Sequence, residues 1–152
     1  FTLPVILLTI LSVGMVQVPK EAQEIYTKQR IISLATVDAE GKPNTSYVAF
    51  WWFEDDETIV LIDNFMKKTR ANLEATGWAA LSGYDMDIHR AFQIKGKATI
   101  ETEGPRVERG KMMAAQFEKE RGMKMPAKAA IAVKVTEVYY LQPGPDAGKA
   151  VA

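Results

Sequence analysis

The segment from residue 91 to residue 102 alternates between apolar and polar side chains. A period of two is typical of a β-strand with one buried and one solvated face, because successive side chains point to opposite sides of the sheet. Gly96 interrupts the apolar face and predicts a bulge or sharp coil. A long strand of this kind predicts a curved sheet as the body of the protein. Its apolar positions are Phe92, Ile94, Gly96, Ala98 and Ile100.

The rest of the chain adds further strands and a small number of helices. Helices are predicted over residues 19–30, from Lys67 to just before Gly77, and over residues 106–121. Six antiparallel strands would expose long edges if the sheet were flat, so we expect a mainly β fold whose sheet closes on itself, with two to three peripheral helices. Besides residues 91–102, strands are predicted over residues 31–37, 44–53, 58–63, 78–83 and 129–141.

Length, charge and residue content exclude several classes of protein. The 152 residues, 47% of them hydrophobic, suit one domain with a sizeable core. The 19 basic residues balance 19 acidic ones, so no global field attracts nucleic acid, and we expect no such partner. The absence of cysteine excludes disulfides, thiolate metal sites and a cysteine nucleophile. His89 is the only histidine, which leaves no triad and no expected metal site.

The two ends of the chain differ from the central domain, which we expect over residues 19–142. Residues 1–18 form a nearly continuous apolar extension. A membrane-spanning helix needs about 20 such residues, and a signal peptide begins with basic ones, so neither interpretation fits. We therefore expect no membrane partner and a cytoplasmic location. Residues 143–152 are predicted to form a polar tail without evident structure.

The junction between residues 58–62 and the following helix has the composition of a phosphate site. The turn carries Asp63 and Asn64, and Lys67, Lys68 and Thr69 lie near the first turn of the helix. Unpaired backbone N–H groups and the helix dipole favour an anion at such a position. From these residues alone the alternative remains open that the lysines simply form a solvated helix face.

The order of these segments resembles the flavin-binding split β-barrel family, the pyridoxamine 5′-phosphate oxidase-like proteins. The similarity covers roughly residues 20–142. It rests on the first helix, residues 31–37, the turn with Gly41-Lys42-Pro43, residues 44–48, and residues 63–73. The resemblance implies a six-stranded antiparallel split β-barrel. It also implies a homodimer with FMN at the subunit interface.

The resemblance assigns FMN-binding roles to particular residues. Lys67, Lys68 and Thr69 match the segment that holds the FMN phosphate, and Asp63 and Asn64 match the turn under the ribityl chain. No catalytic residue is implied, because the flavin itself carries the electrons. The strand that lines the phosphate and the ring is matched by Ser46, Tyr47, Val48, Ala49 and Phe50.

Two departures from the family pattern bear on activity. Members that oxidise pyridoxamine phosphate place basic residues on the second strand, where this chain has residues 46–51 without a basic residue. They also carry arginine and histidine near the C-terminus, where this chain has Pro143-Gly144-Pro145-Asp146. These departures argue against pyridoxamine 5′-phosphate oxidase activity itself. We expect instead an FMN-dependent oxidoreductase that passes electrons between a reduced nicotinamide or other donor and a small acceptor. The alternatives are a non-catalytic flavin-binding electron carrier, and a branch that binds haem or a deazaflavin.

Overall fold

The computed structural model of the protein describes residues 14–151. The part of the predicted apolar extension from residue 1 to residue 13 lies outside this range. In chain order the elements are α1 (Lys20–Gln29), β1 (Ile32–Val37), β2 (Pro43–Val48), β3 (Trp51–Asp55), β4 (Thr58–Asp63), α2 (Lys68–Thr76), β5 (Trp78–Asp85), β6 (Arg90–Glu101), α3 (Pro105–Arg121) and β7 (Ala129–Tyr140).

The strands form one antiparallel sheet of seven strands in the order β2-β1-β5-β6-β7-β4-β3. The prediction of six strands is wrong because the segment over residues 44–53 divides at Ala49 and Phe50. Its first half pairs with β1 and its second half pairs with β4, at opposite edges of the sheet. One straight strand cannot reach both partners, so the chain must break between them.

The division has a consequence for the shape of the sheet. Val48 and Trp51 are three residues apart, so their Cα atoms lie within about 11 Å of each other. The two edge strands therefore approach one another at this point, and the sheet is curled. Within residues 14–151, β2 and β3 form no ladder with each other.

The long strand β6 confirms the predicted alternation and the predicted irregularity. Its apolar side chains are buried toward the core along the first half of the strand. Its register against β7 shifts between Lys95 and Gly96. A Cβ atom at position 96 would overlap the Lys134 carbonyl oxygen, so the close approach of the two backbones requires glycine.

The core lies on both sides of strand β4, all six residues of which are buried. Adjacent Trp51 and Trp52 enter opposite clusters, one inside the curled sheet and one beneath α3, because neighbouring strand residues point to opposite faces. Tyr26 of α1 seals the inner cluster, with its hydroxyl 3.0 Å and 2.9 Å from the carbonyl oxygens of Leu81 and Phe92. Burial raises the pKa of this hydroxyl.

The segments that flank the domain are attached to strand β7. The Val16 N–H donates to the Val135 carbonyl at 3.0 Å, and the Val151 N–H donates to the Val138 carbonyl at 2.8 Å. The sequence pattern does not predict that the C-terminal segment folds back in this way. No helix within the described residues is long and apolar enough to cross a membrane.

Candidate functional site

A cavity of about 450 Å³ opens between strand β2 and the start of helix α2. We call it the β2–α2 cavity. Two segments far apart in the chain meet here, because β1 holds β2 at the sheet edge and α2 packs across it. Of the ten residues predicted to bind a cofactor, eight line the cavity: Ser46, Tyr47, Val48, Ala49, Asn64, Lys67, Lys68 and Thr69.

One wall of the cavity is an edge strand. Among the described residues, β2 pairs on one side only, with β1. Alternate residues of such a strand direct their N–H and C=O groups away from the sheet, where they are free to bond to a ligand. Ser46 and Val48 point to one face of the strand, and Thr45 and Tyr47 point to the other. This wall can therefore bond to a ligand through its backbone groups and contact it through side chains on either face of the strand.

The opposite wall is the open N-terminus of α2. The first intrahelical bond joins the Ala71 N–H to the Lys67 carbonyl at 3.0 Å, so the three preceding N–H groups have no intrahelical acceptor. Among the residues that the structure describes, no side chain caps this helix start. Lys67 and Lys68 are exposed, and within residues 14–151 neither has a carboxylate within 4.0 Å. The start of α2 is therefore strongly electropositive.

A chain of polar side chains fixes α2 to β2. The Thr69 hydroxyl oxygen accepts a hydrogen bond from Asn44 Nδ2 at 3.1 Å and lies 3.2 Å from the Ser46 hydroxyl. Asn44 Nδ2 also lies 3.2 Å from the Thr36 hydroxyl oxygen, on β1. Thr69 is buried, so these bonds are shielded from water. The network holds the two walls of the cavity at a set separation before any ligand arrives.

Asp63, one of the two remaining predicted residues, lies behind the cavity wall. Its side chain is fully buried and accepts hydrogen bonds from Arg70 Nη1 at 2.8 Å and from the Met66 N–H at 2.9 Å. These bonds shape the turn that carries Lys67 into the cavity. The neighbouring Asn64 does line the cavity, and its Oδ1 accepts from the Ala127 N–H at 2.9 Å.

Phe50, the other remaining residue, turns away from the β2–α2 cavity. It packs edge-to-face on Phe117 of α3, with ring centroids 5.4 Å apart. Its position follows from the break between β2 and β3, because Ala49 and Phe50 face different sides of the curled sheet. Phe50 belongs to a second concave surface beneath α3.

Several cavity residues escape prediction from the sequence. Asn44 shares a strand face with Ser46, so the period of two in β2 is a signal that could have identified it. Phe65 and Met66 follow the predicted turn directly. Met125 comes from the segment between α3 and β7, and no local pattern marks it. These three apolar side chains provide surface that can cover a planar ring.

The chemistry of this cavity is that of an anion-binding site with an apolar part. Within residues 14–151 no group of three or more His, Cys, Asp or Glu side chains could hold a metal ion. His89 is exposed and lies outside the cavity, with its Nδ1 3.1 Å from the Tyr84 hydroxyl. The arrangement can hold a phosphate-bearing organic molecule, with the phosphate at α2 and the remainder along β2.

The fold and the cavity together define a small antiparallel β protein with a candidate ligand site at the sheet edge. Residues 18–142 match the sequence profile of the family described as pyridoxamine 5′-phosphate oxidase. The chain therefore belongs to this family. A protein of Methanocaldococcus jannaschii is 33% identical to it over 127 residues, which cover 82% of each chain.

Solved structures show the same fold. HupZ of Group A Streptococcus is 30% identical, with a TM-score of 0.69, and the match covers 86% of this chain and 99% of that chain. An FMN-binding protein of Syntrophomonas wolfei is 17% identical, with a TM-score of 0.68, and the match covers 94% of this chain and 97% of that chain. These similarities agree with the predicted family and with its antiparallel fold.

Proposed function

We propose that this protein binds FMN in the β2–α2 cavity and acts as an oxidoreductase, passing electrons between a reduced nicotinamide or other donor and a small acceptor. One observation carries the proposal: an uncapped, lysine-bearing helix start faces an unpaired strand edge across a single cavity. A volume of about 450 Å³ falls within the range of about 300–1,000 Å³ that is usual for cofactor and ligand sites.

The phosphate would be held at the start of α2. Lys67 and Lys68 offer ammonium groups, and the helix offers the N–H groups that have no intrahelical acceptor. Thr69 adds a hydroxyl whose position is already set by Asn44 and Ser46. A dianion would gain charge-assisted hydrogen bonds here, which are the strong class of hydrogen bond.

The ring would lie along β2. The outward N–H and C=O groups of this edge strand can bond to the polar edge of an isoalloxazine ring, and Phe65, Met66 and Met125 can cover its faces. Bound FMN would supply the two-electron and one-electron transfer chemistry. The protein would orient the ring and limit the access of water.

We also propose that the active species is a homodimer with the flavin at the subunit interface. Tyr47 and Phe65 are 80% and 61% exposed, although both line the cavity. Large apolar side chains so exposed at the rim of a site are typical of surfaces that a partner covers. A second copy would complete the outer wall of the cavity and shield the ring.

The cofactor is tested by titrating the apo-protein with FMN, deazaflavin F420 and haemin separately, following flavin fluorescence or haem absorbance. These competitors are chosen because one solved structure of this fold is an F420 reductase and another is the haem storage protein HutZ of Vibrio cholerae. We expect the tightest binding for FMN. Tighter binding of F420 or haemin would reject the proposal.

Two substitutions map the cradle. Lys68→Ala or Thr69→Ala should each weaken FMN binding by about 1–3 kcal/mol, through loss of charge-assisted hydrogen bonds. Lys111→Ala removes an exposed lysine of α3 outside the cavity and should leave the dissociation constant unchanged. An unchanged constant for the double variant at Lys68 and Thr69 would mean that the phosphate lies elsewhere.

Electron transfer is tested by stopped-flow mixing of the FMN-loaded protein with NADPH and with NADH. Bleaching of the flavin absorption band within the time of catalytic turnover supports an oxidoreductase. Tight FMN binding without bleaching by either nucleotide would favour a flavin-binding electron carrier instead.

A further inference from the structure

A second concave surface, of about 690 Å³, lies between α3 and the short link from β2 to β3. We call it the α3 groove. Its wall includes three arginines, Arg30, Arg109 and Arg121, which come from the end of α1 and from both ends of α3. The groove is separate from the β2–α2 cavity, but Ala49 lines both.

The arginines of this protein fall into two groups. The sequence contains six, and within residues 14–151 three have a carboxylate within 4.0 Å and three have none. All three without a carboxylate line the α3 groove. The paired arginines are Arg70, with Asp63; Arg90, with Glu21; and Arg106, with Glu54 and Glu101.

Arg30 lies at the groove in a strained backbone conformation. It adopts φ 69° and ψ −53°, and the Ile31 N–H donates to the Gln29 carbonyl at 2.8 Å, which is the hydrogen bond of a strained γ-turn. Its Nη2 donates to the carbonyl oxygens of Ala49 and Trp51 at 3.1 Å and 3.2 Å. Burial lowers the pKa of Arg30, since no carboxylate offsets the loss of water.

The floor of the groove is apolar. Phe50 and Phe117 meet edge-to-face, Met113 is half-buried beside them, and Met112 is 73% exposed at the rim. The Arg109 guanidinium lies over the Trp52 ring, 4.3 Å from its centroid, which orients it without neutralising it. The one carboxylate among the lining residues belongs to Glu120, which accepts a hydrogen bond from Gln116 at 2.6 Å.

We propose that the α3 groove binds a small organic anion with an apolar body. Guanidinium groups without counter-ions match carboxylate or phosphate groups, and a Phe–Met floor matches an apolar ring or chain. The apolar residues 1–13 contain no acidic side chain, so that segment lacks the charge that the arginines would select. If the proposed function also holds, the bound anion lies next to the flavin across Ala49 and is an electron partner; only this role depends on the proposed function.

The test uses two naphthylamine probes that differ in charge. The anion 8-anilinonaphthalene-1-sulfonate should bind the apo-protein with enhanced fluorescence, and the uncharged N-phenyl-1-naphthylamine should bind at least about tenfold more weakly because it cannot engage the guanidinium groups. The double variant Arg109→Ala/Arg121→Ala should raise the dissociation constant of the sulfonate at least about tenfold. Arg30 is left intact because it also holds the β2–β3 link.

The matched control is Lys111→Ala/Lys119→Ala, which removes the same charge from the same helix outside the groove. It should leave sulfonate binding within about twofold, because exposed charges outside the site are screened. Equal loss in both double variants, equal affinity for both probes, or no sulfonate binding to the wild type would overturn the proposal. So would sedimentation showing that the groove is buried between two copies, with a dimer that the arginine variant dissociates.

The use of apo-protein keeps this result distinct from the flavin result. Sulfonate binding that depends on Arg109 and Arg121 supports the groove even if the protein takes up no FMN. In that case only the role of the anion as an electron partner is lost. If FMN binds and the sulfonate does not, the groove proposal fails and the proposed function stands.

Discussion

Helices α2 and α3 each follow a strand after a short turn, and within residues 14–151 neither has a side-chain cap, yet their first turns differ in charge. The start of α3 has Pro105 at its first position and Glu108 in its first turn. Arg106 of this turn donates from Nε to Glu54 Oε1 and from Nη1 to Glu101 Oε2, both at 2.8 Å. The start of α2 has Lys67 and Lys68, with no acidic residue in its first turn and a cavity before it.

An open helix N-terminus is therefore not by itself a ligand site. At α3 the acidic side chain of Glu108 lies in the first turn, where it interacts favourably with the helix dipole. The positive charge of Arg106 is neutralised by its two carboxylate partners. At α2 the described residues provide no such balance, and the fold places an edge strand opposite. The first arrangement fixes a helix to the sheet, and the second leaves positive charge available for an anion.

The largest expected effect comes from giving α2 the acidic first turn that α3 has. Lys67→Glu/Lys68→Glu should weaken FMN binding by at least about 100-fold, because two attractive charges become repulsive. The same change should slightly raise the free energy of unfolding, by about 0.3–1 kcal/mol for each charge, since acidic residues suit a helix start. Fluorescence titration and urea denaturation measure the two quantities.

The control for this experiment is Lys111→Glu/Lys119→Glu, which changes the net charge by the same amount on α3. It should leave the FMN dissociation constant within about twofold, because exposed charges outside the site are screened by salt. Comparable loss of binding in the two double variants would mean that overall charge, and not the α2 start, governs affinity.

A smaller effect is expected from Arg106→Ala at the start of α3. The substitution breaks the ion pairs of Arg106 with Glu54 and Glu101. It should lower the free energy of unfolding by about 1 kcal/mol, since these ion pairs are partly shielded from solvent. FMN affinity should not change, because Arg106 lies outside the β2–α2 cavity. Urea denaturation and FMN titration of one preparation check both statements, and a large drop in affinity would contradict the assignment of this helix start to structure.

The smallest effect concerns pH. Arg106 holds the pKa of the Glu54 carboxyl below its ordinary value of 4.5. Above pH 4.5 the Glu54 carboxylate is ionised and the ion pair contributes its full stabilisation. This contribution is lost as the pH falls through the lowered pKa that Glu54 has in the folded protein. The stability difference between wild type and Glu54→Gln, below about 1 kcal/mol, should shrink as the pH falls from about 6 to about 3.

Denaturation curves at a series of pH values measure this difference, with Glu103→Gln as a control. Glu103 is exposed and has no cation within 4.0 Å among the described residues. Its substitution removes no ion pair and should leave the free energy of unfolding within about 0.5 kcal/mol of the wild-type value. A Glu54→Gln difference that stays constant across the range would show that the ion pair does not contribute through ionisation.

The parts of the fold predicted from the sequence are those with a local cause. The alternation in β6 is a pattern within one segment, and Gly96 interrupts it, so both features can be identified from neighbouring residues. The Lys134 backbone, for which Gly96 leaves room, lies on β7 and is brought there only by the fold. The end of α2 at Gly77 follows from its left-handed conformation, φ 71°. The break at Ala49 and Phe50 could not be predicted from local residues, because the segments on both sides of it have strand composition. What distinguishes the two segments is the strand with which each one pairs: β2 pairs with β1, and β3 pairs with β4.

The same division applies to the candidate site. Lys67, Lys68 and Thr69 are contiguous, so their composition marks them without any knowledge of the fold. Asn44 enters the site through a hydrogen bond to Thr69, and Met125 enters it from a segment more than 50 residues further along the chain. Asp63 was predicted as a site residue from its place in the turn, and the structure shows its carboxylate bonded to Arg70 behind the cavity wall.

The long two-faced strand β6 and the basic start of α2 could be predicted from the residue pattern, because each depends on residues close together in the chain. The family could be predicted because its short segments are recognisable one by one in chain order. Three features follow only from the fold: the sheet has seven strands, α2 lies opposite the edge strand β2, and Arg30, Arg109 and Arg121 share one groove. They could not be predicted because strand pairing brings together residues that are distant in the chain. Their charges and contacts act on one another only after the sheet has curled.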